Sequence, residues 1–222
     1  MNTNFDATSS RSLSMKVFDV LEQQILNGTY AVGDQLVEMK ISQELGVSRT
    51  PIREALRQLE LDGLVTTVSN KGTFVVGISA EDVKDIYTIR IAIEGISAMW
   101  AAERITDEQI KELETLVELQ EFYASKNDIL QIVQLDTKFH EIMYDISGSR
   151  TLRNTLRSFH MHLKRARETS FYSAGRTRRA VEEHREIFEA IASHDGERAK
   201  ELTERHVKNA RDNVLGIIEQ EK

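Results

Sequence analysis

Along most of the chain apolar residues recur at helical spacing. Leu13, Val17, Val20, Leu21 and Ile25 lay down a first stripe that Asn27-Gly28 ends. A second helix is expected over 38–45. A third begins at Arg49, where Ser48 suits the N-cap, Pro51 falls in the first turn and Gly63 follows the last apolar residue. Ile52, Ala55, Leu56 and Leu59 form the face that this third helix buries. Two β-rich runs, 64–68 and 73–76, flank Ser69-Asn70-Lys71-Gly72, a hairpin signal with a basic tip. Beyond residue 78 the pattern is helical alone, with helices predicted over 80–105, 107–125, 128–147, 150–170, 177–194 and 196–219. Thr106 is a cap, and Ser125-Lys126-Asn127, Gly148-Ser149, Ser173-Ala174-Gly175 and Asp195-Gly196 are breaks.

These elements predict a mainly α chain. A helix-turn-helix with a small β-hairpin as its wing occupies 11–77, and an antiparallel bundle of six helices occupies 78–222, after a disordered tail over 1–10. Ser79 with Asp82 three residues later makes a capping-box-like start for the bundle. No repeat or low-complexity tract interrupts either part.

Composition narrows the chemistry. With no cysteine among 222 residues, disulfides, thiolate metal sites and cysteine nucleophiles are excluded, which fits a reducing cytoplasm. No run approaches the length of a membrane span, and residues 1–10 have neither a basic leader nor an apolar core. A net charge of −7 argues against a generally basic nucleic-acid binder, so DNA contact must rest on a local patch. Arg49, Arg53 and Arg57 supply one as an i, i+4, i+8 row on the third helix, with Lys71 in the wing and Lys40 nearby. Glu54 and Asp62 lie close by, so modest monomer affinity that relies on dimerisation is expected. An arginine row on a lone helix is more simply a solvated face; the hairpin placed directly after this one favours DNA.

The run Leu45-Gly46-Val47-Ser48-Arg49-Thr50-Pro51-Ile52-Arg53-Glu54-Ala55-Leu56, preceded by Leu36-Val37-Glu38 and followed by Gly63-Leu64-Val65 and Asn70-Lys71-Gly72-Thr73-Phe74-Val75, resembles the GntR family of bacterial transcription regulators. The resemblance implies that Arg49, Thr50 and Arg53 touch operator DNA, with Arg57 and Lys71 in the same basic patch, and that Gly72 lets the wing approach it. The chain departs from the family pattern at Val32, where proline is usual, and at Met39, where some members carry an arginine.

Polar residues fall inside the buried arcs of the bundle. Asp136 and His140 lie within the arc of Ile129, Ile132, Val133, Phe139 and Met143; His184 is central to that of Val181, Ile187, Phe188 and Ile191; His206 is central to that of Ala199, Leu202, Ala210 and Ile217. One inward histidine is usually a satisfied core residue. Four such groups aimed at one interior are harder to dismiss, since a buried carboxylate needs a partner and bundles build metal sites from facing side chains. His194 is expected at an exposed helix end, and His160 and His162 flank the stripe of Leu152, Leu156, Phe159 and Leu163, so none of the three is taken as a ligand. Arg90 and Glu94 are also inward, either as a buried ion pair or with Arg90 as a fork for a carboxylate. Asn213 offers a further hydrogen bond.

Arg90-Ile91-Ala92-Ile93-Glu94, Asp136-Thr137-Lys138-Phe139-His140, Glu183-His184-Arg185-Glu186-Ile187 and His206 resemble the FCD effector domain of the FadR-like branch of that family, in its shorter six-helix form. The resemblance implies that Asp136, His140, His184 and His206 hold a divalent ion, with Zn, Ni, Mn and Fe all compatible with N/O donors, beside a small organic acid effector. The expected function is a homodimeric repressor. A metal-dependent enzyme acting on small carboxylates is the alternative, because an ion with an open position also activates water; a structural-metal dimerisation module is a third.

Overall fold

Three helices and a three-stranded sheet make up the first of two units in the computed structural model, which describes residues 12–220. The tail predicted over 1–10 lies outside the described residues. This unit ends at Ser79. Helix α1 spans Leu13–Leu26, α2 Glu38–Leu45 and α3 Arg49–Leu61; strand β1 is Gln35–Leu36, β2 Val65–Val68 and β3 Gly72–Val75. Val17, Leu21, Ile25, Ile41, Ile52, Leu59 and Leu64 are buried; of the first stripe read from the sequence, Leu13 at the start of α1 is exposed and Val20 only half-buried. Gly46, left-handed at φ 65°, turns the chain from α2 into α3, and Ser42 Oγ donates to Val47 O at 2.6 Å to close the turn. Ser48 takes the N-cap position with extended backbone, but its side chain makes no capping bond.

The sheet has the order β1-β3-β2 and is antiparallel throughout, pairing Gln35 with Phe74 and Thr67 with Thr73. Strand β1 was not expected: two residues are too few to show a period. It matters to the wing, because Gln35 Nε2 donates to Lys71 O at 2.7 Å. At Gly72 φ is +108°, and a Cβ there would meet Gln35 Nε2 at 2.6 Å, so the wing's own geometry already requires this glycine.

The second unit begins at Ala80 and is wholly helical among the described residues. Its helices are α4 (Ala80–Arg104), α5 (Asp107–Ser125), α6 (Ile129–Ile146), α7 (Arg150–His162), α8 (Lys164–Phe171), α9 (Arg176–Ala192) and α10 (Gly196–Gln220). The most extensive packing is between α4 and α10. Gly95 permits their close approach: a Cβ there would lie 2.9 Å from side-chain carbons of Lys200 and Glu204. Ala98, Ala101, Leu113, Phe139, Met143, Ile187 and Ala199 join in the main core. Thr106 caps α5, as the sequence indicated, and Gln109 completes a capping box with it.

One predicted helix is two. The stretch 150–170 breaks at Leu163, which ends α7 and opens α8 without a side-chain cap, so the expected six helices become seven. Leu163 is apolar and fully buried, and no glycine or proline marks the break.

Candidate functional site

On the helix-turn-helix, Arg49, Thr50, Arg53 and Arg57 are exposed on α3, and Lys71 is exposed at the tip of the wing. A residue outside the predicted set organises two of them. Glu38, in the first turn of α2, takes Arg49 Nη2 at 2.7 Å and Arg53 Nε at 2.9 Å on the same carboxylate oxygen. Burial opposes ionisation of Glu38, but the bonds and charge of Arg53 and Arg49 outweigh it and hold its carboxyl below the usual range. Arg57 lies farther along, lining a groove with Ser12, Met15 and Phe18 of the α1 end.

Inside the second unit Asp136, His140, His184 and His206 come together as the sequence indicated: all four are buried, and one donor atom from each lies within 4.8 Å of the others. Hydrogen bonds behind them set the ring orientations. Gln120 donates from Nε2 to Leu135 O at 3.0 Å, which turns its Oε1 toward His184 Nδ1, 2.8 Å away. The carboxylate of Glu183 accepts from His206 Nδ1 at 2.7 Å. Both rings thus carry their proton on Nδ1, leaving the Nε2 lone pairs to face each other at 3.3 Å. Two acceptors so placed repel unless a cation, either a proton or a metal ion, shares their lone pairs. Asp136 Oδ1 stands 3.6 Å from His184 Nε2 and 3.9 Å from His140 Nε2, spacings close to the ~3.0–3.4 Å that donors about 2.1 Å from one ion would show.

Burial keeps the His184 and His206 rings neutral. It pushes His184 well below its ordinary value, with help from His206 and His140. Burial likewise takes His206 down to about 4, against the raising effect of Glu183. Glu183 itself is held at about 2: its burial is outweighed by the bond from His206 and the charge of Arg176, which donates to it at 3.0 Å.

Next to this centre Arg90 forks onto Glu94 at 2.7 and 3.1 Å, so the ion pair is present. Glu94 also accepts from Tyr144 Oη at 2.7 Å and stands 2.8 Å from His140 Nδ1. Burial of Glu94 is overcome by Arg90 and His140, which keep it well below the carboxylate range. Arg90 is not fully spent: its Nη1 and the hydroxyl of Tyr87 are buried without hydrogen-bond partners among the described residues. Both residues line a small cavity of about 20 Å3 with Asp136, His140, Arg167 and Arg176. Asn213 is half-buried and donates to Ser170 Oγ at 2.6 Å. It lines a neighbouring surface hollow with Arg176, Glu183 and Asn209 and is not among the groups around Asp136.

His194 is exposed, as expected. His160 departs from the expectation. It is buried, lies between Arg90 Nη2 at 3.1 Å and Arg167 Nη1 at 2.8 Å, and with Glu94 and His140 forms a second cluster of metal-type donors. The reason is rotational. Leu156, His160, Leu163 and Arg167 are the buried residues of α7, its C-cap and α8 on this side, whereas Leu152 and Phe159 are only half-buried, so the buried arc is turned toward the polar residues. Arg167, which pairs with Asp136, was missed for the same reason; its signal is the seven-residue spacing from His160.

Residues 13–75 match the bacterial regulatory proteins of the gntR family, and residues 85–209 match the FCD domain. The HTH-type transcriptional regulator YdhC of Bacillus subtilis is 30% identical over 209 residues, covering 94% of this chain and 93% of its own. The HTH-type transcriptional repressor RspR of Escherichia coli is 26% identical over 217 residues, 98% of this chain and 95% of its own. Of the solved structures, E. coli McbR/YncC superposes with a TM-score of 0.74 over 96% of this chain and 100% of that one at 21% identity, which speaks for the fold alone.

Proposed function

The chain belongs to the GntR family of bacterial regulatory proteins and carries an FCD domain, and we propose that it is a homodimeric repressor whose operator affinity is set by a small organic acid bound beside a divalent ion. It is a DNA-binding transcription regulator, not an enzyme; its relatives are named as regulators, and RspR as a repressor. Asp136, His140, His184 and His206 would hold the ion. The observation that carries this reading is the pair of Nε2 atoms of His184 and His206, 3.3 Å apart with both Nδ1 hydrogens committed elsewhere.

The ion, when bound, supplies a positive centre for one effector oxygen. The chain's own residues do the rest. Gln120 and Glu183 hold the two imidazoles in the tautomer that points Nε2 inward. Arg90, anchored by Glu94 and lining the cavity, has its Nη1 without a partner and available to a carboxylate oxygen. On the other unit Arg49, Thr50, Arg53, Arg57 and Lys71 form the face offered to operator DNA, with Glu38 aligning the first and third of them.

Elemental analysis of gently purified protein tests the centre. Bound metal is expected in the wild type and its loss in His184→Ala and His206→Ala; equal content in all three rejects the site. At a hundredfold excess over Kd the ion adds about 2.7 kcal/mol of stability, so chelation should lower the melting temperature of the wild type and leave His184→Ala unchanged. That variant should still bind operator but respond poorly to organic acids.

A further inference from the structure

Arg167 sits where the proposed ion would compete with it. Its guanidinium pairs with Asp136, reaches Thr137 Oγ1 at 3.4 Å and places Nη1 2.8 Å from His160 Nδ1. On the other side of the same ring Arg90 Nη2 lies 3.1 Å from Nε2. A guanidinium only donates, and a neutral imidazole accepts at one nitrogen and donates at the other. His160 is held neutral by burial and by Arg90. Of its two guanidinium contacts, therefore, only one can be a hydrogen bond, and the other sets N–H against N–H.

The two arginines differ in what else holds them. Arg90 has the fork onto Glu94, which is not itself one of the four proposed ion ligands, although it also stands 2.8 Å from His140 Nδ1. Arg167 depends on Asp136, the one carboxylate among the four donors. The cavity they share has room for about one water, far short of an organic acid. Charges around it balance as they stand: Arg90, Arg167 and Arg176 against Glu94, Asp136 and Glu183. A divalent ion adds two positive charges to a buried centre.

We infer that Arg167 is a place-holding cation: it occupies Asp136 until a divalent ion takes that carboxylate, and the displaced guanidinium then opens the cavity and becomes a receptor for the anionic effector. Binding is thereby ordered and cooperative. Without the ion, Arg167 fills the space and neutralises Asp136; with it, the site has excess positive charge and a freed fork. By linkage, an anion that binds only the loaded site must raise metal affinity by the same factor as the metal raises anion affinity.

This rests on the metal reading above, and the test separates the two. Full-length wild type, Arg167→Met, Arg167→Lys and His184→Ala are stripped with chelator and titrated with Zn2+ in calorimetry, with and without acetate. Arg167→Met, which has no competing cation and leaves Asp136 unpaired, should bind Zn2+ at least about tenfold more tightly than wild type, and Arg167→Lys should fall between. Acetate should bind Zn2+-loaded wild type and not the stripped protein, and this binding should be at least about tenfold weaker in loaded Arg167→Met, where only the ion and Arg90 remain to receive it. Equal Zn2+ affinities in wild type and both Arg167 variants overturn the place-holder role, as does equal acetate binding with and without Zn2+. Should the methionine variant fail to fold, wild type against Arg167→Lys decides by the same comparison. Zn2+ binding no tighter in wild type than in His184→Ala overturns the metal reading, and this inference with it.

Discussion

Each unit gathers arginines around a carboxylate, and the surroundings give the two gatherings opposite meanings. On the helix-turn-helix, Arg49 and Arg53 are more than half exposed and share Glu38, which is itself partly exposed. Such surface pairs contribute at most about 1 kcal/mol each, so they can be traded for phosphate or base contacts at little cost to the fold. In the helical unit Arg90, Glu94, Arg167 and Asp136 are buried. There each charge depends on its partner, and an arginine can exchange partners only when another charge arrives. Exposure permits recognition by simple competition; burial makes recognition conditional.

The largest effect that would break this contrast is expected at Glu94. Glu94→Gln leaves Arg90 buried beside a neutral group and should cost about 3–5 kcal/mol. Urea unfolding followed by fluorescence of Trp100, the single tryptophan, reports the helical unit. Arg90→Met should cost a similar amount, and the double variant Arg90→Met, Glu94→Leu should recover most of it, because the pair is removed whole. Single costs that merely add would place the two residues in independent roles and weaken the pair as the anchor for an effector.

Acidification sharpens the comparison with a difference of sign. All six histidines lie in the helical unit. His206, at about 4 when folded against an ordinary 6.5, contributes stability that is complete above pH 6.5 and lost as pH falls toward 4. By pH 5 the loss from this one ring is about 2 kcal/mol, and His184 shifts in the same direction. The helix-turn-helix unit behaves in reverse. Burial, with Asp62 and Asp19, raises Glu22 to about 7, so its contribution is complete below pH 4.5 and lost as pH rises through 7. In metal-stripped protein, moving from pH 7.5 to 5 should lower the Trp100 transition and leave the helicity of the first unit more resistant to urea. Parallel loss of both signals would contradict the assignment of these groups.

How much of this was legible in the sequence follows from what a helical period can report. Asp136, His140, His184 and His206 each sit within an arc that their own apolar neighbours define, so the period alone points them inward. His160 and Arg167 sit where the apolar residues of α7 and α8 do not define the buried arc, and packing against neighbouring helices buries them instead. Gln120 and Arg176 were invisible for a related reason, and Glu183, though quoted in a family motif, gave no sign of its role: they act by holding a ring or carboxylate on another element, or on another turn of their own helix. The break at Leu163 carries no turn residue, and β1, two residues long after the Gly33-Asp34 turn, is too short to show a period. Glu38 was quoted as part of a family motif, yet its grip on two arginines needs α2 and α3 side by side.

The smallest effect tests that grip. Arg53→Ala should weaken operator binding by about 1–3 kcal/mol if the residue reads a base, and should instead weaken all duplexes alike, with a shallower salt dependence, if it holds phosphate. Glu38→Gln removes no DNA contact of its own but releases Arg49 and Arg53 from a shared carboxylate. Its effect on folding should stay below about 1 kcal/mol, since the pairs are exposed. Binding is where it should register. Loss of one negative charge beside the duplex favours non-specific contact, while loss of alignment disfavours the operator, so the ratio of operator to scrambled-duplex affinity should fall although scrambled-duplex affinity rises. Binding isotherms on both duplexes over a range of salt measure this directly. A ratio unchanged from wild type would mean that the carboxylate only masks the two arginines and plays no part in aiming them.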